Sequence, residues 1–280
     1  MQNNMDEGTS SSSLRAEELS DDDSKFILED LGVLGIIPAR YASTRFPGKP
    51  LVDIAGKSMI QRVYEQASKA RSLAKVVIAT DDDRIVEEVK KFGGEFILTK
   101  STHQSGTDRC AEVIEQLPGY GIVVNIQGDE PFIEPAQIDL LTSCFSEEKV
   151  ELATLIKSIH GQESIYNPNS PKVVIDVNGR AMYFSRSPIP FIRNGEPGVW
   201  AEKHQFYKHV GIYGYRTEAL KAITKLPPSS LEIAESLEQL RWIENGFYIQ
   251  TKVTDLETVA IDTPEDLLKI NKLLKALKLE

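Results

Sequence analysis

The chain of 280 residues is long enough to bury a full α/β core, and its formal charge of −10 is unevenly placed. Residues 1–32 hold nine acids and two bases, which leaves 33 acids and 30 bases for the body, so nothing predicts nucleic acid as a partner. No stretch is long and apolar enough to predict a membrane span, and the two cysteines, Cys110 and Cys144, fall inside helical patterns as ordinary buried thiols of a cytoplasmic protein.

Residues 1–32 form an acidic, Ser-rich leader without an apolar h-region, read as a disordered tail rather than a signal peptide. The apolar run Val33, Leu34, Ile36 and Ile37 then predicts a buried first strand. It opens into a loop carrying Arg40, Arg45 and Lys49, held out of regular structure by Pro47, Gly48 and Pro50. A basic loop beyond the first strand of an open α/β sheet is where such folds bind ligands, and three cations there suit a polyphosphate. Cations carried only for solubility are the plainer alternative. Gly48-Lys49 is followed by Pro50, so the loop is not a P-loop.

Met59, Ile60, Val63, Tyr64 and Ala67 recur at helical spacing behind Ser58, which can cap. Lys75–Thr80 reads as a second buried strand. It ends in Asp81-Asp82-Asp83, with the last two acids suited to starting a helix and Asp81 left open as a ligand. The same run resembles the metal-binding D-x-D of some glycosyltransferases. Phe96–Leu98 is a short third strand. A loop from His103 to Thr107 leads into a helix bearing Cys110, Val113, Ile114 and Leu117, and Gly121–Ile126 is the fourth strand. Apolar strands without alternation, separated by helices, predict a mostly parallel sheet covered on both faces.

After that strand, Gln127-Gly128-Asp129-Glu130-Pro131 places an acid where it can face a polyphosphate, the usual arrangement for Mg²⁺. A plain Asp turn is the alternative. A helix over 135–145 precedes strands at 152–159, 173–177 and 181–185, the last two joined at Asn178-Gly179 as a hairpin. Residues 187–207 read as a loop or small lobe with exposed aromatics. His209–Tyr215 is a strand in which His209 and Tyr213 share a face, lining a pocket or filling a core. Ser229 and Glu232 form a capping box for one helix running past Ile243. Strands at 247–253 and 259–261 precede Asp262 and a final helix with Pro264 at its first position. Asp262 is either N-terminal scenery or a second metal carboxylate.

Together these segments resemble the 3-deoxy-manno-octulosonate cytidylyltransferase (CMP-Kdo synthetase) family. The resemblance lies in residues 36–51, Ala79-Thr80-Asp81, His103–Arg109, Asn125–Pro131, Tyr183–Arg186, His209–Tyr215, Leu237–Arg241 and Asp262–Leu267, in family order from about residue 33 onward. It implies a Rossmann-like nucleotide-diphospho-sugar transferase fold, with a sugar and dimer region at roughly 150–215 inside a domain covering 33–280. It implies a homodimer, CTP and Kdo as substrates, and Mg²⁺ as cofactor. Arg40, Lys49 and Asp129 are the implied catalytic residues. Ala39, Ser43, Arg45, Thr80, Asp81, Gln104, Ser105 and Gly106 join them in the implied nucleotide site. Gln127, Arg186, His209, Tyr213, Glu238 and Gln239 are the implied sugar site, and Asp129 with Asp262 the implied metal ligands. Phe46 and Asp108 stand where Leu and Glu are common in the family, and 187–203 departs further, which leaves the exact acidic sugar open.

Overall fold

Strand β1 (Val33–Ala39) is buried along almost its whole length because both of its faces carry apolar side chains. Val33, Ile37 and Ala39 enter one core layer and Leu34 and Ile36 the other, the period-2 alternation of a strand covered on both sides. The structure, a computed structural model, describes residues 32–42, 46–257 and 259–277.

After β1 come the small hairpin β2 (Asp53–Ile54) and β3 (Lys57–Ser58), then α1 (Met59–Ala67), β4 (Lys75–Thr80), α2 (Asp83–Lys91), β5 (Phe96–Leu98), α3 (Gly106–Gln116) and β6 (Ile122–Asn125). The middle of the chain supplies α4 (Pro135–Thr142), β7 (Leu152–Ile159), α5 (Gln162–Tyr166), β8 (Lys172–Ile175), β9 (Ala181–Ser185) and α6 (Trp200–Lys203). The remainder is β10 (Phe206–Arg216), α7 (Thr217–Ile223), α8 (Ser230–Glu235), α9 (Gln239–Glu244), β11 (Ile249–Val253) and α10 (Pro264–Leu277).

The main sheet runs β11-β7-β10-β6-β1-β4-β5, with the β8–β9 pair attached through β10. β1 lies parallel to β4 and β6, and β4 to β5. β10 runs antiparallel to both β6 and β7, while β11 is parallel to β7. The sheet is therefore mixed, with a parallel half built from the first four predicted strands. Residues 150–215 supply β7 to β10 of this sheet and also a small apolar cluster of Ile159, Ile165, Trp200 and Phe206.

Several local readings change. The single helix expected from Ser229 past Ile243 is two: Ser236 adopts φ 51°, a left-handed conformation that ends α8, and the chain restarts at α9. Ser229 does close its capping box with Glu232, and Pro264 does open α10. Ser58 stands at the start of α1 without a side-chain cap bond. Asp82 caps α2 by accepting from the Arg84 amide at 3.0 Å. Residues 259–261 form no strand; Ile261 instead donates its amide to the Asp129 carbonyl at 3.0 Å. Asn178-Gly179 lies in a wider turn in which Asp176 accepts from the amides of Asn178 and Arg180. Residues 1–31 of the leader, Ser43 and Arg45 lie outside the described residues. No described helix is long and apolar enough to cross a membrane.

Candidate active site

The C-terminal ends of β1, β4 and β6 lie side by side because these strands are parallel, and the segments that follow β1, β5 and β6 line one cleft. Its cavity of about 280 Å³ is lined by Ala39, Arg40, Lys49, Gln104, Ser105, Gly106, Gln127, Asp129 and Asp262 among others. These residues come from five separate stretches of chain. Lys49 begins a short 3-10 turn that Gly48 enters at φ 72°, and the Gly48 amide bonds back to the Tyr41 carbonyl at 3.0 Å. The Lys49 side chain points across the cleft to Asp129 and Asp262.

At the centre, Lys49 Nζ donates to Asp129 Oδ2 at 2.8 Å and to Asp262 Oδ1 at 3.0 Å. The lysine side chain is only 13% exposed, whereas Asp129 and Asp262 are 31% and 46% exposed. Asp262 is brought there by the Ile261–Asp129 backbone bond, which ties the segment before α10 to the loop after β6. Glu130 lies just behind, 6% exposed, with Oε2 unpaired. Burial, followed by the nearby charges of Asp129 and Asp262, pushes its carboxyl up to about 7.

Two carboxylates holding one cation already test whether this pair fits a metal. Among the described residues no group of three His, Cys, Asp or Glu side chains forms a metal cage. Mg²⁺ does not require one, since it commonly takes one or two carboxylates and completes its shell with phosphate and water. The donor set fits Mg²⁺, with the lysine ammonium as the stand-in cation.

Opposite this cluster, Ser105 caps α3. Its Oγ accepts from the Asp108 amide at 3.1 Å, and Asp108 Oδ2 accepts from the Ser105 amide at 3.1 Å. This capping box fixes the Gln104–Gly106 turn against the cleft and gives Asp108, one of the family departures, a defined task. Asp81 is not in the cavity wall: Arg109, which is, pairs with it at 3.2 Å. Thr80 is fully buried, and its hydroxyl accepts from the Asp82 amide at 3.3 Å.

Of the implied sugar residues Gln127 is in the cavity wall, and Arg186, His209, Tyr213, Glu238 and Gln239 are not. His209 Nε2 meets Thr154 Oγ1 at 2.9 Å, with its ring against Phe184 and Tyr213. Desolvation pushes this imidazole down to about 4. Glu238 accepts from the Thr107 hydroxyl at 2.9 Å, and burial raises its carboxyl. Tyr213 OH, Tyr215 OH, Asn125 Oδ1 and Gln239 Nε2 are buried without a hydrogen-bond partner. Arg186 is occupied: its guanidinium donates to the carbonyls of Glu235, Pro168 and Ser236 at 2.7, 2.9 and 3.2 Å.

Arg109 was assigned no role from sequence, because it falls at the start of a helical pattern that reads as packing; the fold places it in the cavity wall.

An open α/β sheet with a lysine and a carboxylate pair gathered in a cleft beyond its parallel strands suits a protein that handles a nucleotide polyphosphate. A family model described as "Cytidylyltransferase" matches residues 34–273. The 3-deoxy-manno-octulosonate cytidylyltransferase of Parabacteroides distasonis is 56% identical over 241 residues, covering 84% of this chain and 95% of its own. That of Geobacter sulfurreducens is 48% identical over 251 residues, covering 88% and 100%. A solved CMP:2-keto-3-deoxy-manno-octonic acid synthetase complexed with CTP superposes with a TM-score of 0.82 at 43% identity, covering 88% of this chain and 99% of that one. The 4-diphosphocytidyl-2C-methyl-D-erythritol synthase of Anaerococcus prevotii shares the fold alone, at TM-score 0.58 and 13% identity over 89% and 99% of the two chains. The chain belongs to the 3-deoxy-manno-octulosonate cytidylyltransferase family.

Proposed function

We propose that the chain transfers the cytidylyl group of CTP to the anomeric hydroxyl of Kdo, giving CMP-Kdo and pyrophosphate for lipopolysaccharide synthesis. The observation that carries this reading is the convergence of Lys49, Asp129 and Asp262 at one end of a cleft whose other side is the capped Gln104–Gly106 turn. That arrangement offers charge for a triphosphate and a separate wall for a base.

In the reaction the sugar oxygen bonds to the α-phosphorus, the bond from that phosphorus to the bridging oxygen breaks, and the hydroxyl proton passes to solvent. The protein's contribution is positioning and charge stabilisation. Arg40 and Lys49 neutralise the triphosphate, with Ser43 and Arg45 in support. Asp129 and Asp262 hold Mg²⁺, which when bound offsets phosphate charge and makes the attacking hydroxyl more acidic. Gln104, Ser105 and Gly106 face the cytosine. Gln127, His209, Tyr213, Glu238 and Gln239 face the sugar, whose hydroxyls would pair the buried polar atoms left unpaired there. A sugar carboxylate at Arg186 has to compete with the three carbonyls that now hold it. The working form is a cytoplasmic homodimer.

Pyrophosphate release measured with Mg²⁺ and CTP tests the reading. Kdo is expected to support turnover, while UTP or ATP in place of CTP is not. Turnover with another acidic sugar but none with Kdo would move the assignment to a different acceptor.

A further inference from the structure

Lys49 stands between the two carboxylates assigned to the metal, and this placement has a consequence for the order in which ligands enter. Its ammonium is a short-range partner of both acids at once, at 2.8 and 3.0 Å. At 13% exposure it is also the least accessible member of the trio. A divalent cation bound to both carboxylates would sit beside the ammonium that already holds one oxygen of each, and like-charge repulsion at that range opposes their sharing the pair. The lysine therefore competes with such a cation for the pair.

We propose that Lys49 is a place-holding cation, and that Asp129 and Asp262 are released for a divalent cation only when a triphosphate draws the ammonium away. This rests on the reading of Asp129 and Asp262 as the metal's ligands. Charge accounting supports it. One ammonium leaves the two carboxylates with a net of one negative charge. A nucleotide triphosphate arriving with its divalent cation brings anionic oxygens for the lysine and two positive charges for the acids, so every charge keeps a partner during the exchange. The lysine's four-carbon stem springs from a turn on the cleft wall, so it can swing from acids to phosphate without moving the backbone. The exchange also keeps the buried neighbour Glu130 from facing two unpaired carboxylates at any stage. The cation then enters with the nucleotide and not before it.

Binding of Mn²⁺ to nucleotide-free protein, read by the loss of the free-ion electron paramagnetic resonance signal, tests this without any turnover. Wild type is compared with Lys49→Met, Lys49→Gln and the double variant Lys49→Met/Asp129→Asn, each confirmed as folded by its thermal melt. Both single variants are expected to bind Mn²⁺ at least about tenfold more tightly than wild type, the scale of removing one charge-assisted competitor, and the double variant is expected to lose that gain. Equal or weaker binding by Lys49→Met and Lys49→Gln overturns the place-holder while leaving the carboxylate assignment intact. Tight binding that persists in the double variant overturns the carboxylate assignment itself, and the proposal with it.

Discussion

Asp129 reaches the cleft because the residue before it is glycine: a Cβ at position 128 would lie 2.9 Å from the Pro38 carbonyl oxygen. The close neighbour that requires the glycine is thus the backbone of β1. Asp129 itself was legible from its place after an apolar strand. Asp262 was legible from its own residues only as one of two readings, and the resemblance implied it as a metal ligand; the backbone bond from Ile261 that brings it to Asp129, more than a hundred residues earlier, left no trace in the sequence. Asp81 is the opposite case: an acid at a strand end that looked available but is paired with the buried Arg109. His209 also resolves at this scale. It packs against Phe184, Tyr213 and Thr154, none of them charged at neutral pH, and desolvation lowers its imidazole from 6.5 to about 4. The fold therefore favours the neutral ring. That contribution is complete above pH 6.5 and is lost as pH falls toward 4, by on the order of 3 kcal/mol. Urea unfolding at pH 7 and pH 4 checks it: the stability gap between wild type and His209→Gln is expected to change in that window, and an unchanged gap contradicts it.

At the scale of elements, the parallel half of the sheet was legible because its strands carry continuous apolar runs and the helices between them have clear apolar faces. The antiparallel placement of β10 between β6 and β7 was not, because pairing direction leaves no periodic trace in a strand buried on both faces. The break at Ser236 was also hidden, since the apolar spacing continues across it and only the left-handed φ of 51° marks the end of the helix. The segment around α6 carries its own small core. Trp200 packs on Phe206 there, and the Trp200 indole donates to the Gly195 carbonyl at 2.8 Å, yet Phe191 beside it remains 73% exposed. An exposed aromatic next to an ordered apolar cluster suits a subunit contact. Sedimentation equilibrium is expected to give twice the chain mass for wild type and a shift toward the single-chain mass for Phe191→Asp. A wild-type protein at single-chain mass contradicts the homodimer.

For the molecule as a whole, the fold delivers charge to one edge. The parallel strands end together, Lys49 reaches into the cleft beyond them, and the segment before α10 returns from the far end of the chain to complete the carboxylate pair. Composition alone gave a near-neutral body and no hint of this concentration. The central claim is that Asp129, with Lys49 and Asp262, is the reaction centre and not a surface ion pair. Pyrophosphate release from CTP and Kdo by Asp129→Asn, measured beside its thermal melt, tests this most directly. Because Lys49 keeps Asp262 as a partner at 3.0 Å and Asn still offers it a side-chain oxygen, the variant is expected to melt close to wild type. Its turnover is expected to fall at least about a hundredfold, or about 2.7 kcal/mol of transition-state stabilisation. Turnover close to wild type in a folded Asp129→Asn protein would contradict the account.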